Sequence, residues 1–208
     1  MIWVTIVLIV LAILFLLIVL FLLFYKFHFL RNPARRITLG NNVVSPADGK
    51  VMMIKKYSKN KVDIPKGFLG IVKSFTDDVA KEGFIISIFM SPLDVHFNRV
   101  PISGVVKYVK RSKGKFWNAG KMKATFENEN VQSLIEDGSF RIKVIQIAGF
   151  VARRIVPFIK GKEKVLKGQR MGLIKLGSQV TLILPASVKV KVHLGEKVVA
   201  GETIIAER

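Results

Sequence analysis

The side chains best suited to proton transfer lie in one turn-rich segment, Phe89–Pro101, which follows an apolar run. His96 stands out there, because an unperturbed imidazole has a pKa near neutrality and can take or give a proton. Asp48, in an Asp-Gly pair, and Ser178, which follows Gly177, could supply a carboxylate and a hydroxyl. Taken singly, each has an ordinary structural reading: a buried histidine, a hairpin turn and a β-bulge.

The residue counts restrict the chemistry further. The 208-residue chain has no cysteine, which excludes disulfides, thiolate zinc sites, iron–sulfur clusters and a cysteine nucleophile. Of the other histidines, His28 is expected at a membrane interface and His193 on the surface. The chain has 34 Lys+Arg against 14 Asp+Glu, a net charge of +20, which indicates an anionic partner, either nucleic acid or a lipid surface.

A compact antiparallel β domain is predicted to position these side chains. Short Val- and Ile-rich runs separated by Gly, Pro and Asp-Gly are typical of strands joined by turns. A minor helix is predicted near Asn128–Ile135. The basic span 95–126, with Phe116 and Trp117 at its centre, is expected to contact nucleic acid or an anionic bilayer, or to be a solvated loop. The predicted strands are Lys50–Ile54, Phe84–Met90, Gly104–Val109, Arg141–Ala148, Val180–Leu184 and Val188–Val192.

An internal repeat occurs near the C-terminus. Residues 155–171 align with residues 188–204 at an offset of 33, sharing a strand, Glu-Lys-Val, a glycine and a second strand. Two such units are similar to the paired hairpins of a biotinyl/lipoyl-type sandwich, and Ser45–Val51 looks like the opening turn and strand of that fold. The predicted fold is therefore mainly β, a biotinyl/lipoyl-like β sandwich with two quasi-repeated hairpin units, plus one N-terminal transmembrane helix.

An uncharged segment, Met1–Tyr25, is predicted to anchor the chain in the cell membrane, as a single-pass span or peripherally. Its apolar run would extend roughly 34 Å as a helix, enough for a ~30 Å hydrocarbon core. No Lys or Arg precedes this run, so the basic residues after it place the remainder in the cytoplasm by the positive-inside rule. Those residues are Lys26, Arg31, Arg35 and Arg36. The predicted organisation is an anchor over 1–25, a basic juxtamembrane linker over 26–40 and a β domain over 41–208.

Four separated segments, in this order and spacing, together resemble phosphatidylserine decarboxylase of the short, membrane-anchored type, or a similar archaetidylserine decarboxylase. The likeness runs over most of the chain, up to the C-terminus. The segments are Ser45–Val51, Phe89–Gly104, Ala148–Arg154 and Gly168–Ser178.

The resemblance implies a proenzyme that cuts itself between Gly177 and Ser178. The Ser178 hydroxyl would attack the Gly177 carbonyl, and elimination followed by hydrolysis would turn the serine into a pyruvoyl group. That group is the implied cofactor, and no metal is implied. Glycine on the acyl side has no Cβ to block the attack. The products would be a β subunit of residues 1–177 and an α subunit of residues 178–208.

In that family the pyruvoyl ketone forms a Schiff base with the serine headgroup and accepts the electrons left when CO2 departs. By the resemblance, His96 is the candidate proton donor, and Asp48 would orient a histidine or support the base in self-cleavage. Longer bacterial members carry a second histidine where this chain has Arg99. Either His96 therefore performs both tasks, or self-cleavage relies on Asp48 and backbone strain. The candidate ligands of the substrate phosphate or carboxylate are Asn98, Arg99, Arg153 and Arg154.

The implied partners are an anionic phospholipid membrane, phosphatidylserine or archaetidylserine, and the α and β fragments of the chain itself; a homo-oligomer stays open. The alternative function is a non-enzymatic, membrane-anchored, lipoyl-like adaptor of a transport assembly. Such adaptors insert a long helical hairpin between the two halves of the sandwich. The repeat units of this chain lie only 33 residues apart, which leaves no room for that hairpin. A biotin or lipoate carrier would need a lysine where Leu176-Gly-Ser178 stands. A nucleic-acid-binding module would need a signature fold that the sequence lacks.

Overall fold

The computed structural model describes residues 2–58, 61–62, 76–114, 128–149, 154–175 and 178–208. The chain starts with helix α1, Ile2–Leu23, which continues into a π-helical turn, Phe24–Phe29. The 22 residues of α1 extend about 33 Å, and none of them is buried in the protein. The helix is apolar all round and long enough to cross a membrane.

The described residues after the helix are mainly β, as predicted. A curled nine-stranded sheet has the order β10-β6-β7-β8-β12-β4-β2-β14, with β3 paired to β2, and two three-stranded sheets have the orders β1-β15-β13 and β5-β11-β9. The strands are β1 Asn42–Val44, β2 Gly49–Ser58, β3 Lys61–Val62, β4 Gly83–Met90, β5 Phe97–Arg99, β6 Gly104–Ser112, β7 Asn130–Asp137, β8 Phe140–Ala148, β9 Arg154–Pro157, β10 Lys164–Val165, β11 Arg170–Lys175, β12 Ser178–Pro185, β13 Lys189–Val190, β14 Lys197–Val198 and β15 Ile204–Glu207.

Strand β12 lies in the middle of the large sheet. It pairs antiparallel with β4 along its whole length and with β8 over its first six residues. Its even-numbered apolar residues point into the main core, because side chains alternate between the two faces of a strand. Val180, Leu182 and Leu184 are all fully buried. Ser178 has the same parity, so its side chain lies on the core face.

The minor helix predicted near Asn128–Ile135 is wrong. This region forms β7, which lies between β6 and β8 in the large sheet. Six consecutive β7 residues, Asn130–Ile135, are buried, so both faces are covered and no period-two alternation is visible in the sequence. The hydrophobic pattern of the sequence cannot distinguish such a strand from a helix. The segment becomes a strand because it pairs with strands that are distant in the chain.

The two predicted repeat units show matching local geometry. Strands β10 and β14 are 33 residues apart, and each is followed by a glycine in the left-handed region, Gly168 at φ 82° and Gly201 at φ 80°. A Cβ built on these glycines would lie 2.3 and 2.7 Å from Cδ1 of Ile37, so the side chain of Ile37 fills the space beside both turns. The units contribute to different small sheets, and their arrangement as a biotinyl/lipoyl-like sandwich stays a prediction.

An ion pair between a buried lysine and a partly exposed aspartate lies on the other face of the large sheet. Lys143 on β8 has an exposed side-chain fraction of 1%, and its Nζ lies 2.6 Å from Oδ1 of Asp78. The hydroxyl of Tyr108 donates to the other carboxylate oxygen of Asp78. Burial lowers the pKa of Lys143, while the carboxylate of Asp78 opposes that change. Asp78 therefore compensates a charge that would otherwise be costly inside the domain.

The change Asp78→Asn is expected to destabilise the domain by about 2 kcal/mol, less than for a fully enclosed pair because Asp78 is partly exposed. This corresponds to a fall of about 4–8 °C in the thermal midpoint for a domain of this size. The measurement is circular dichroism of the full chain in detergent. Asp77→Asn is the matched control, since Asp77 is exposed and should change the midpoint little. Equal midpoints for the two variants would contradict the assignment.

Candidate active site

Ser178 is the first residue of β12, and it is fully buried. Its ladder partners are Met90 on β4 and Ala148 on β8. Its Oγ has no hydrogen-bond partner among the described residues. A buried hydroxyl without a partner is unfavourable by about 1–3 kcal/mol, so Ser178 adds nothing to stability through this group.

Two buried amides lie next to the ladder partners of Ser178. Asn98 on β5 is fully buried, and its Nδ2 lies 3.6 Å from Sδ of Met90, the ladder partner of Ser178. Gln146 on β8 donates from Nε2 to Oδ1 of Asn98 at 2.8 Å. Gln146 faces the same side of the sheet as Ser178 because it precedes Ala148 by two residues. The small sheet therefore packs a fixed amide pair against the start of β12.

His96 lies in the turn between β4 and β5, and its side chain is fully buried. Its Nδ1 is 2.9 Å from the carbonyl oxygen of Asp94. A carbonyl only accepts, so Nδ1 carries the proton and Nε2 is left as an acceptor. Nε2 is buried and has no partner in the described part of the chain. The ring centroid lies 4.1 Å from that of Phe29, the last residue of the π-helical turn.

Burial lowers the pKa of His96 to about 4. The carbonyl and carboxylate of Asp94 and, more weakly, the carboxylate of Asp48 act in the opposite direction, while the charge of Arg31 adds to the effect of burial. The imidazole is therefore neutral at neutral pH. A neutral imidazole with a bare Nε2 suits the task of a base better than that of an acid.

The backbone of the His96 turn is joined to the strand that leads to Ser178. Ile174 on β11 donates its N–H to the carbonyl of His96 at 3.3 Å, and Leu173 pairs with Phe97 in the ladder between β11 and β5. Strand β11 ends at Lys175, and β12 begins at Ser178, so the chain between them is short. Leu176 and Gly177, the acyl side of the predicted cleavage site, lie outside the described residues.

Asp48 lies in the turn before β2, and both of its carboxylate oxygens are hydrogen-bonded. Arg35 donates from Nη2 to Oδ2 at 2.7 Å, and the N–H of Ala200 donates to Oδ1 at 2.8 Å. The hydrogen bond that orients His96 therefore comes from the carbonyl of Asp94 and not from Asp48. Asp48 remains close enough to act on His96 through its charge.

Of the predicted anion ligands that the structure describes, Arg99 and Arg154 lie beside opposite ends of β11. Arg99 donates from Nη1 to the carbonyl of Gly168 at 2.8 Å, and from Nη2 to Asn32 and Pro33 at 3.0 and 3.1 Å. Burial and the neighbouring charges of Arg35 and Arg170 lower the pKa of Arg99. The exposed Arg154 starts β9, opposite Lys175 in the ladder. Arg153 lies outside the described residues.

The other two histidines, His28 and His193, belong to no candidate metal site in the described part of the chain. Over the described ranges, no group of three His, Asp or Glu side chains could hold a metal ion. His28 lies near the end of the apolar helix, and its Nε2 is 3.3 Å from the carbonyl of Leu93. His193 is exposed, as predicted, and its Nδ1 contacts Glu196 at 2.8 Å.

Sequence reasoning missed three residues that shape the site. Gln146 was detectable, because a glutamine among the apolar residues of a fully buried strand implies a polar partner inside the domain. Arg35 was visible only as one of four basic residues after the helix. Phe29 gave no signal, because it follows a run of aromatic residues that resembles a membrane-interface belt.

Comparison with known proteins gives the class of the molecule. A sequence model of the phosphatidylserine decarboxylase family matches residues 22–206, which include every site residue described above. Enzymes of this name are carboxy-lyases, which release CO2 from their substrate. The chain belongs to the phosphatidylserine decarboxylase family.

Curated relatives support this assignment over most of their length. The chain is 43% identical to a putative archaetidylserine decarboxylase proenzyme of Methanocaldococcus jannaschii, over 88% of this chain and 89% of that protein. It is 41% identical to a phosphatidylserine decarboxylase proenzyme of Chlorobium phaeobacteroides, over 87% and 78% of the two chains. It is 45% identical to one of Novosphingobium aromaticivorans, over 86% and 70%.

Proposed function

We propose that this protein is made as a proenzyme, cuts itself between Gly177 and Ser178, and decarboxylates phosphatidylserine or archaetidylserine through a pyruvoyl group formed from Ser178. The observation that carries the proposal is that two buried side-chain atoms, Oγ of Ser178 and Nε2 of His96, belong to segments that β11 connects. One is a nucleophile and the other a base, and neither has a partner in the described residues.

The proposed cleavage uses that pair directly. Nε2 of His96 takes the hydroxyl proton as Oγ bonds to the Gly177 carbonyl carbon. The peptide C–N bond then breaks as this proton passes to the Ser178 nitrogen, which leaves an ester and a free amine. Loss of the Cα proton of Ser178 expels the Gly177 carboxylate. The resulting dehydroalanine takes up water and releases ammonia, which leaves the pyruvoyl group at the start of β12. Atoms balance with water as the only added reactant.

The buried position of Ser178 fits such a group. A pyruvoyl ketone at the start of β12 would supply an electron sink for the carboxylate carbon of a serine headgroup. Asn98 and Gln146 would supply fixed amides beside it, in surroundings from which water is excluded. Asp48 would favour a positive charge on His96 when the ring takes a proton.

The proposal also accounts for why the two fragments would stay together. The fragment 178–208 contains β12, β14 and β15, which pair with β4, β8, β2 and β1 of the larger fragment. Backbone hydrogen bonds on both sides of β12 and its buried apolar residues would hold the smaller fragment in place.

We place the domain at the cytoplasmic face of the membrane, with the anionic bilayer and its serine lipid as partners. Lys26, Arg31, Arg35 and Arg36 lie directly after the apolar helix, on the side of the domain. Arg31 acts on His96 with a positive charge, which favours an acidic headgroup near the site. Asn98, Arg99, Arg153 and Arg154 stay the proposed ligands of its phosphate or carboxylate.

Intact-mass measurement of the purified full chain under denaturing conditions is expected to show two fragments, 1–177 and 178–208. The smaller one should lack a free amine at its N-terminus, since the pyruvoyl group has a ketone there. Vesicles containing phosphatidylserine should release CO2, while vesicles of phosphatidylcholine should not. A parallel assay with archaetidylserine decides between the two lipid backbones. An intact single chain that is nevertheless active would refute the proposal.

A further inference from the structure

The segment between the apolar helix and β1 packs on the candidate site. Phe29, the last residue of the π-helical turn, is fully buried, and its ring lies against the imidazole of His96 at a centroid distance of 4.1 Å and an angle of 34°. Phe27, two residues earlier in the same turn, has an exposed fraction of 69%. The π-helical turn therefore directs one aromatic ring into the domain and leaves the other outside.

Further contacts hold this segment against the residues of the site. Arg31 donates from Nη2 to the carbonyl of Leu93 at 2.5 Å, in the turn that carries His96. The same segment supplies the Arg35 guanidinium that pairs with Asp48, and it accepts the Arg99 guanidinium through Asn32 and Pro33. Besides the contact of Phe29 with His96, the site and the segment after the helix are thus joined at three further points.

The contact with Phe29 restricts what the imidazole of His96 can do. The Asp94 carbonyl holds Nδ1–H in the ring plane, while Phe29 covers a ring face. The imidazole is fully buried, so solvent does not reach it. Three charged groups act on the imidazole: Asp94 on its own turn, Arg31 on the juxtamembrane segment and Asp48 on the turn before β2. His28, on the π-helical turn, contacts Leu93 of the His96 turn.

We propose that Phe29 is a positioning residue that holds His96 as an unprotonated base with Nε2 free, so that the end of the membrane helix completes the site. The inference rests on the proposed function for its consequence, since the base is used in self-cleavage. The helix would then affect the site as well as anchor the chain. A displacement of the helix end relative to the domain would change both the orientation and the solvation of the His96 imidazole.

The direct test is the titration of His96 by NMR in the full chain carrying Ser178→Ala, which cannot cut itself. The chain has three histidines, so substitution of His28 and His193 by Gln assigns the signals. Burial predicts a midpoint near 4. Adding Phe29→Ala admits water and should raise the midpoint toward 6.5, the ordinary value for histidine. Adding Phe27→Ala, the matched control, should leave it unchanged. Equal midpoints in all three proteins would overturn the proposal.

Self-cleavage supplies the second measurement. In cell-free synthesis of the full chain into lipid nanodiscs, Phe29→Ala should slow the appearance of the two fragments about tenfold at pH 7.5, because the imidazole, still mostly neutral at this pH, is no longer held in one orientation. Phe27→Ala should cleave at the wild-type rate. Phe29→Leu keeps the apolar cover and should recover cleavage to within about threefold.

These measurements distinguish a failure of the positioning role of Phe29 from a failure of the proposed self-cleavage. If wild-type protein stays a single chain, the proposed function fails, and the NMR midpoints still test the contact. If wild-type protein cuts itself and Phe29→Ala does so equally fast, the positioning role fails alone. If Phe29→Ala does not fold, Phe29→Leu decides instead: slow cleavage or an unshielded His96 in this folded variant would overturn the proposal.

Discussion

Ser178→Ala is expected to yield a single uncut chain without measurable decarboxylase activity. The loss should be complete because the same oxygen would be the nucleophile of self-cleavage and the source of the ketone. Folding should be unaffected, since the change removes a buried hydroxyl that has no partner in the described residues. Intact mass and CO2 release from phosphatidylserine vesicles measure the two losses separately.

Ser133→Ala is the matched control for this substitution. Ser133 lies on β7, is also fully buried, and its Oγ also has no partner among the described residues. A buried serine is thus removed from the same sheet without touching the start of β12. The control should cut itself and turn over substrate like the wild type. Two fragments from Ser178→Ala, or none from Ser133→Ala, would contradict the assignment of the nucleophile.

His96→Gln is expected to slow self-cleavage by at least about 100-fold at pH 7.5, the usual lower bound for removing a general base. Glutamine keeps a polar group of similar reach but cannot accept the proton. His193→Gln removes an exposed imidazole and should have no effect. Time courses of fragment appearance after cell-free synthesis measure both rates. A His96→Gln chain that cuts itself as fast as the wild type would exclude His96 as the base.

The pH dependence gives a second signature of His96. Its pKa is lowered to about 4 by burial, so the base should be available throughout the neutral range, and cleavage should slow only as the pH falls toward 4. Between pH 6.5 and 4 the unfolded chain binds a proton here that the folded chain does not, so stability must fall as the pH falls through this window. His96→Gln should remove that part of the acid destabilisation.

The elements of the large sheet were predictable to the extent that local composition specifies strands. Phe84–Met90 and Arg141–Ala148 are continuous Val- and Ile-rich runs, and both form strands within one residue of the predicted bounds. Strand β7 was not predictable, because it is buried on both faces and shows no period. The central place of β12 was not predictable either, since strand order depends on non-local pairing that composition does not encode.

In the candidate site, too, the residues were predictable from their motifs, whereas their contacts were not. Ser178, His96 and Asp48 were selected because their motifs occur together, and the structure adds how each is held. The Asp94 carbonyl, which orients His96, is a backbone group and therefore has no sequence signature. The contact of Phe29 with His96 joins residues that are far apart in the chain. Arg99 was selected as an anion ligand, which stays a prediction; its hydrogen bonds to Asn32 and Pro33, which join the segment after the helix to the domain, were not predictable from the sequence.

The central position of β12 determines whether the protein can refold after the proposed cut. Before the cut, the strand is brought to its neighbours by the chain itself, which makes pairing a unimolecular event. After the cut, a thermally unfolded molecule would have to recover a 31-residue peptide from solution, so renaturation would depend on concentration. The proposed maturation thus makes assembly irreversible, because the protein can fold as one chain only before the cut. Heating the mature form should inactivate it irreversibly, at the rate at which β12 dissociates from the large sheet.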